Sequence, residues 1–419
     1  MSTLDERQHV IGPSEAIATK ESRSQPKSGR HLVIASTGMV HHPPIAGGAV
    51  EAYVEDIASM FGTREGYFVS VAADYRKGYI PTAGVKPVNV FSPINRFPLR
   101  PAAGAFAHVV AGTFVATAVN RHVRSLNVTR TPIVLHLNEE VSAEILTRLL
   151  PRIPKVFTLH NPPPELNVIS STKSDQTLRR LNFRLLLRFC LPRMDSIIAL
   201  STRIRDYLCS EWNIDPSRVN VLPLPIDTEY FRPAPACADH DGELHVLFVG
   251  RLDHRKNVLS LVRALPDLRK GTRLRVVGDG PLSGEILRLS RQLGVEDRIV
   301  FFRGVTPFQL LKLYQGSSIF VLPSTLEAYP RVVIEAAACG LPVILPKLQI
   351  YQDFVQGGFV EPCGPGGDPE ELAASINRLV DSPDRREELG RRARRSTVLC
   401  NSLDAVSAGL ARIYGKVLE

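Results

Sequence analysis

Short apolar, β-rich runs alternate with helix-length segments along most of this 419-residue chain, in two series. The first series holds HLVIAS (31–36), YFVSVAA (67–73), PIVLHL (132–137), KVFTLH (155–160), SIIALS (196–201) and RVNVLPL (218–224). Helix-length segments separate most of them, notably 49–61, 103–126 and 176–191. The second holds LHVLFVG (244–250), RLRVVG (273–278), RIVFFRG (298–304), SIFVLPS (318–324) and LPVIL (341–345). Each is followed by a helical pattern, such as Val258, Leu261, Val262 and Leu265. Strands apolar on both faces belong in parallel sheets with helices on either side, since an antiparallel sheet usually leaves one face wet. The predicted fold class is α/β with two Rossmann-like domains, and a chain of this length suits two cores of about 150–200 residues each.

The expected organisation begins with a polar, disordered leader over 1–29 and an N-terminal domain over 30–224. A Pro-rich linker over 225–243, a C-terminal domain over 244–398 and a C-terminal helix over 399–419, packing back on the first domain, follow. The leader has no apolar run of signal-peptide length, and the best membrane-span candidate, 103–119, is short and interrupted by His108, so it reads as a buried helix. Six cysteines, at 190, 209, 237, 339, 363 and 400, have neither C-x-x-C nor zinc spacing. That scatter predicts isolated thiols in a cytoplasmic protein. The net charge of +9 favours an anionic partner: nucleotide phosphates, a membrane face or nucleic acid. No basic–aromatic pattern for nucleic acid accompanies it.

In doubly wound sheets ligands sit beyond the carboxyl ends of the strands, and a cleft between domains is the default site. In FVGRLDHRKN (248–257), Gly250 permits a tight turn. Arg251 and Lys256 then bring two cations to a helix beginning near Asn257, whose free N–H groups favour an anion such as pyrophosphate. The competing reading is a solvated basic loop. VVGDGP (276–281), with Gly278, lacks the dinucleotide fingerprint because Ser283 replaces its last glycine; the competing reading is a tight turn alone. IAGGAVE (45–51), with Gly47 and Gly48, lets backbone approach a ligand closely.

His160 ends one strand, where it can act as acid, base or hydrogen-bond donor, or be structural; His136 has a similar position one strand earlier. DHD (239–241) has metal-motif spacing but falls in the linker, so no divalent metal is expected. RRLNFRLLLRFCLPR (179–193) is either a membrane-surface helix or an interior helix with a charged outer face. In EAYPRVVIE (327–335), Pro330 suits the first turn of a helix, placing Glu327 in the loop before it and Glu335 in its second turn. Eight helical residues span about 12 Å, against about 5–5.5 Å between the two carboxylates of a retaining glycosidase, which disfavours a pair across one bond.

Taken in order, VGRLDHRKN, VVGDGP, FFRGV, SSIFVLPSTLEAYPRVVIEAAACGLPVI and GGDPEELAASI resemble the retaining glycosyltransferases of family 4, with support from IAGGAVEAYV, FTLHN and VLPLPIDTEYF. The resemblance runs from about residue 31 to the C-terminus. It implies the GT-B fold, two Rossmann-like domains with parallel sheets facing across a cleft, and a nucleoside-diphosphate sugar held mostly by the second domain. Arg251 and Lys256 match the diphosphate-binding cations, which would stabilise the leaving group as charge develops. Glu327 matches a ligand of the donor-sugar hydroxyls and Glu335 a ligand of the ribose. Ala328, Tyr329, Pro330 and Arg331 match a loop whose backbone N–H groups meet diphosphate and sugar. Val305 falls where backbone pairs with the base, Gly48 matches the glycine that lets the N-terminal loop approach the diphosphate and acceptor, and Gly250 and Gly278 are expected among the donor-binding residues. His160 matches the active-site histidine near the sugar and β-phosphate; with Arg251, Lys256 and Glu327 it makes up the expected catalytic set.

Three departures stand out. LPLPID replaces a common IPNGVD, and 345–359 replaces a Gly-rich loop before an acid for which Asp353 can stand in. Arg331 is unusual between Pro330 and Val332, with phosphate or acceptor as the contact expected for its side chain.

The expected activity is transfer from a nucleotide sugar to an acceptor hydroxyl with retained configuration, without cofactor or divalent metal. A UDP-linked donor such as UDP-GlcNAc or UDP-glucose is expected, and GDP-mannose also fits. A small metabolite such as an aminocyclitol, a lipid-linked glycan or an envelope polymer are the open acceptors, with peripheral contact at the inner membrane face and no nucleic acid partner. The alternatives are a nucleotide-sugar 2-epimerase, which would release UDP without an acceptor, and a non-catalytic nucleotide-sugar-binding protein.

Overall fold

The computed structural model describes residues 29–37, 49–64, 66–75, 81–90, 104–126, 131–160, 184, 186–234 and 244–419. The leader, Gly47, Gly48 and the DHD stretch lie outside them. The first sheet contains β1 (Arg30–Ala35), β2 (Tyr67–Ala73), β3 (Val85–Asn89), β4 (Ile133–Leu137), β5 (Lys155–Leu159), β6 (Ser196–Ala199) and β7 (Val219–Val221). Their spatial order is β3-β2-β1-β4-β5-β6-β7. The second sheet contains β8 (Leu244–Val249), β9 (Thr272–Val277), β10 (Ile299–Phe302), β11 (Ile319–Val321), β12 (Val343–Pro346) and β13 (Val360–Cys363), in the order β10-β9-β8-β11-β12-β13. All pairings in both are parallel. Each sheet therefore winds outward from its first strand in one direction and then in the other, the doubly wound pattern.

Parallel strands need crossovers, and helices supply them. Those of the first half are α1 (Ala49–Gly62), α2 (Gly104–Ser125), α3 (Glu140–Leu149) and α4 (Thr202–Trp212). After β8 come α5 (Val258–Ala264), α6 (Ser283–Gln292), α7 (Pro307–Gln315), α8 (Arg331–Ala338), α9 (Gln352–Gln356) and α10 (Pro369–Val380). The chain ends with α11 (Pro383–Asn401) and α12 (Leu403–Lys416). Local chemistry starts them where it should. Ser201 caps α4, Asp368 caps α10, and Thr306 with Gln309 forms a reciprocal capping box on α7 with Pro307 at its first position. Among the described residues no helix is long and apolar enough to cross a membrane.

Strands β1, β4, β5, β8, β11 and β12 are almost wholly buried, as their apolar runs predict. The two strands that the patterning does not mark, β3 and β13, are both edges. An edge strand has one free side, so β3 tolerates Pro87 and half-exposed positions. In β13, buried Glu361 is paired with Arg378 at 2.8 Å and Arg385 at 2.7 Å.

Of the expected helix over 176–191, residues 176–183 and 185 lie outside the described residues; Arg184 is helical, Leu186–Cys190 forms a π-helical turn, and Leu191–Arg193 follows as a 3-10 turn. Pro192 cannot supply an N–H to continue a helix.

The chain crosses between sheets twice at one place. Ile226 and Ser402 form a parallel bridge, the Ile226 N–H donates to the Asn401 carbonyl at 2.7 Å, and the Asn401 side chain donates to the Leu224 carbonyl at 2.8 Å. Helix α11 runs to Asn401, so the return crossing is at Ser402 and not near 398. Beyond it α12 lies against α1: Arg64 donates to Ser407 at 2.9 Å, and the rings of Phe61 and Tyr414 meet at 5.4 Å.

Helix α11 passes over the turn before β12 so closely that a Cβ on Gly390 would lie 2.1 Å from the Gly340 carbonyl oxygen. Gly390→Ala is expected to lower unfolding free energy by about 1–3 kcal/mol. Gly284→Ala, on open helix surface with nothing within 4 Å, is expected to raise it by about 0.5–1 kcal/mol. Urea denaturation of the two variants measures both.

Candidate functional site

The reversal of strand order in the second sheet falls between β8 and β11. The chain leaves β8 through Gly250, Arg251, Leu252 and Asp253, makes a 3-10 turn at His254–Lys256, passes Asn257 in the left-handed region (φ 51) and only then enters α5. The helix thus begins where expected, at Val258 with Asn257 as its N-cap, and a 3-10 turn separates Arg251 from it. Asp253 itself takes the N–H groups of Arg255 and Lys256, at 3.1 and 3.3 Å, so those two amides of the 3-10 turn are not open to an anion. Arg251 has a side chain 69% exposed, 3.7 Å from Asp253.

VVGDGP is the buttress of this loop. Gly278 has φ +140, and a Cβ there would lie 1.9 Å from the Gly250 carbonyl oxygen. The Gly250 N–H bonds to Val277 O at 3.0 Å, and the Leu252 N–H to Asp279 O at 2.9 Å. Two strand-end turns thus stack backbone to backbone, which only glycine permits.

The chain leaves β11 into 322–330, which is tied to the first loop by Ser324 Oγ donating to Arg255 O at 3.0 Å and by Thr325 N–H to the same oxygen at 3.2 Å. This brings Glu327 into an ion pair with Lys256; their side chains are 15% and 19% exposed. Tyr329 packs on Phe354 at 4.8 Å and meets Asn401 through its hydroxyl at 3.0 Å. Pro330 is the N-cap of α8 and Arg331 its first residue, one position later than Pro330 as the first helical residue would have it. Among the described residues the backbone N–H groups of Ala328, Tyr329 and Arg331 have no protein acceptor.

Glu335 belongs to a different network. Its carboxylate accepts from Tyr314 at 2.9 Å and from Arg331 Nε at 3.3 Å. The guanidinium of Arg331 also donates to Asp56 of α1 at 2.7 Å, with both side chains less than a fifth exposed (18% and 19%). The expected phosphate or acceptor contact of the Arg331 side chain is thereby corrected: its charge goes to two carboxylates, one from each domain. Burial opposes that charge, but Asp56 and Glu335 outweigh it and hold the guanidinium above its usual range. Burial in turn pushes the Asp56 carboxyl up, with Arg331 pulling it back. Asp353 also serves the domain junction, accepting from the Thr202 N–H at the start of α4 at 2.8 Å.

Val305 lies half-buried between β10 and α7, near Phe308, which is 62% exposed beneath the Lys312 ammonium. On the first sheet, His160 stands just past β5, half-buried, 2.9 Å from Asn138 and edge-on to Tyr53 at 4.8 Å. Burial holds its pKa down to about 3. His136 is not its counterpart. It lies inside β4, fully buried, bonded to Tyr414 at 2.6 Å and Thr158 at 2.7 Å. The residue at the strand end is Asn138, which the sequence pattern passes over, as it does Asp56 and Tyr314.

Two family descriptions match the chain: Glycosyltransferase Family 4 over residues 46–230 and Glycosyl transferases group 1 over residues 238–396. A curated relative, the D-inositol 3-phosphate glycosyltransferase of Segniliparus rotundus, is 30% identical over 214 residues, 47% of this chain and 47% of that protein. The chain spans about half the length of the curated relatives it matches. Among solved structures, sucrose-phosphate synthase from Thermosynechococcus elongatus has a TM-score of 0.74 at 20% identity, covering 93% of this chain and 99% of that one. Anabaena HepE in complex with UDP has a TM-score of 0.69 at 17% identity, covering 92% and 100%. At these identities the likeness is one of fold.

Arg331→Met leaves Asp56 and Glu335 without their shared counter-charge and is expected to cost about 3–5 kcal/mol. Asp56→Asn is expected to cost less, because Arg331 keeps Glu335. The order of the two urea midpoints checks the assignment.

Proposed function

The chain belongs to glycosyltransferase family 4, and on that premise we propose that it transfers a sugar from a UDP-linked donor to an acceptor hydroxyl, with retention and without a divalent metal. One observation carries the reading: Lys256 and Glu327 meet at the strand-order reversal of the second sheet, beside the unaccepted N–H groups of Ala328, Tyr329 and Arg331. An ammonium with unaccepted amides on the neighbouring loop suits a diphosphate, and the adjoining carboxylate suits sugar hydroxyls. Developing charge on the departing phosphate would fall to Lys256 and to the exposed Arg251, which can swing onto a bound ligand. Val305 and Glu335 would take the base and ribose, the latter by exchanging one of its present partners for a hydroxyl. His160 would face the sugar from the first domain.

Glu335 is engaged by Tyr314 and Arg331 while Glu327 is engaged by Lys256. That division supports departure and attack on one face of the sugar, with the leaving phosphate helping to deprotonate the acceptor, over double displacement by two carboxylates. HepE, solved with UDP and with UDP-glucose, supports a uridine donor. The relatives named for D-inositol 3-phosphate make it the first acceptor to try, as a small metabolite.

Among UDP- and GDP-sugars screened by thermal shift, a UDP-sugar is expected to raise the melting temperature, the stabilisation being about 2.7 kcal/mol at a hundredfold excess over Kd. UDP release is expected only when an acceptor is added; release from UDP-GlcNAc alone would point to 2-epimerisation. Lys256→Ala is expected to lower turnover by about 10²–10³-fold in a folded protein, and near-normal turnover would refute the site.

A further inference from the structure

Asn138 follows β4, and strands β1, β4 and β5 are neighbours at the reversal point of the first sheet. Its side chain is buried and ties the ends of all three together. Nδ2 donates to the carbonyl oxygen of Ala35, the last residue of β1, at 3.0 Å. Oδ1 stands 2.9 Å from Nε2 of His160, just past β5. The amide cannot be turned the other way, since that would set Oδ1 against the Ala35 carbonyl, acceptor against acceptor. A carbonyl oxygen only accepts, so Nε2 of His160 must carry the hydrogen.

The ring is neutral, because burial holds its pKa down to about 3. A neutral imidazole has one N–H, and with it on Nε2 the other nitrogen offers only a lone pair. No group among the described residues bonds to Nδ1. The ring's other close neighbour, Tyr53 of α1, meets it edge-on, and the Tyr53 hydroxyl goes to Thr158 at 3.2 Å. Thr158 is in turn held by His136, itself neutral with a pKa held near 3 by burial and bonded to Tyr414. Tyr53 is kept protonated, as burial pushes its hydroxyl well up.

We propose that Asn138 is a positioning residue that locks His160 in the Nε2–H tautomer, so that at Nδ1 the histidine accepts a hydrogen bond from a hydroxyl of the bound sugar and gives no proton to phosphate. The part concerning the sugar rests on the glycosyltransferase reading; the tautomer does not.

The test has one arm without any ligand. In full-length protein labelled with 15N-histidine, the His160 signals, identified by their loss in His160→Gln, are expected to show a protonated Nε2 and a bare Nδ1 through pH 5–8. A protonated Nδ1 would overturn the proposal whatever the protein catalyses. In Asn138→Ala both tautomers are expected to appear, and an unchanged spectrum would remove Asn138 from the positioning role. The second arm uses Asn138→Asp: one carboxylate oxygen still accepts from Nε2–H and raises the ring pKa, while the other meets the Ala35 carbonyl, so the variant is expected to be less stable and is assayed where its spectrum shows it folded. Adding a proton to Nδ1 destroys the lone pair. The expected kcat/KM for the UDP-sugar therefore falls about tenfold per pH unit below the ring pKa read from the same spectra and recovers above it. Activity that rises as the ring gains its proton, or ignores it, would overturn the acceptor role.

Discussion

Arg331 sits between Asp56 on a helix of the first domain and Glu335 one turn along its own helix, and water reaches little of any of the three. Charges taken so far out of water cost several kcal/mol each unless they satisfy one another. Helices α1 and α8 are therefore held to one another by a contact that neither can replace locally. Glu335 is steadied in turn by the Tyr314 hydroxyl of α7, whose pKa burial and the carboxylate drive well up, so it remains a donor. Loop 322–330 runs straight into α8 at Pro330, and the ion cluster thereby sets where Glu327 hangs relative to the first sheet.

The two domains repeat one solution with different chemistry. Both sheets reverse strand order after the first three strands, and both gather polar groups at that point. In the second sheet the strand ends carry charge, Lys256 against Glu327, on loops that stack because Gly278 leaves room for the Gly250 carbonyl. In the first sheet they carry neutral groups, Asn138 and His160, backed by a buried chain of Tyr53, Thr158, His136 and Tyr414. A charged half and a neutral half suit a ligand with a phosphate end and a hydroxyl end.

Much of this could be read from residue order, because interior parallel strands must be apolar on both faces and so announce themselves. Edge strands β3 and β13 need not be, and Pro87, Glu361 and Pro362 hid them. Lys256 and Glu327 could be singled out, since each follows a legible strand. That they touch could not, as 71 residues separate them. The Arg331–Asp56 contact spans 275 residues, and Asp56 carries no local mark beyond a charge on an amphipathic helix. His136 drew notice over Asn138 because a histidine looks reactive, whereas the side chain two positions on, just past the strand, faces its end. The helix after Asn257 could be read, but not the 3-10 turn ahead of it, where Asp253, a short side chain, folds back onto the amides of Arg255 and Lys256.

The paired crossings at Ile226 and Ser402 have a mechanical consequence. A single tether between two bodies lets them swing and swivel, whereas two strands bonded side by side bend together about one axis and resist twisting. Any opening of the domains then pivots beside loop 322–330, since Tyr329 of that loop is bonded to Asn401 at the crossing. Closing along that arc would bring the same residues of α1 and α8 back face to face each time, with no search among orientations.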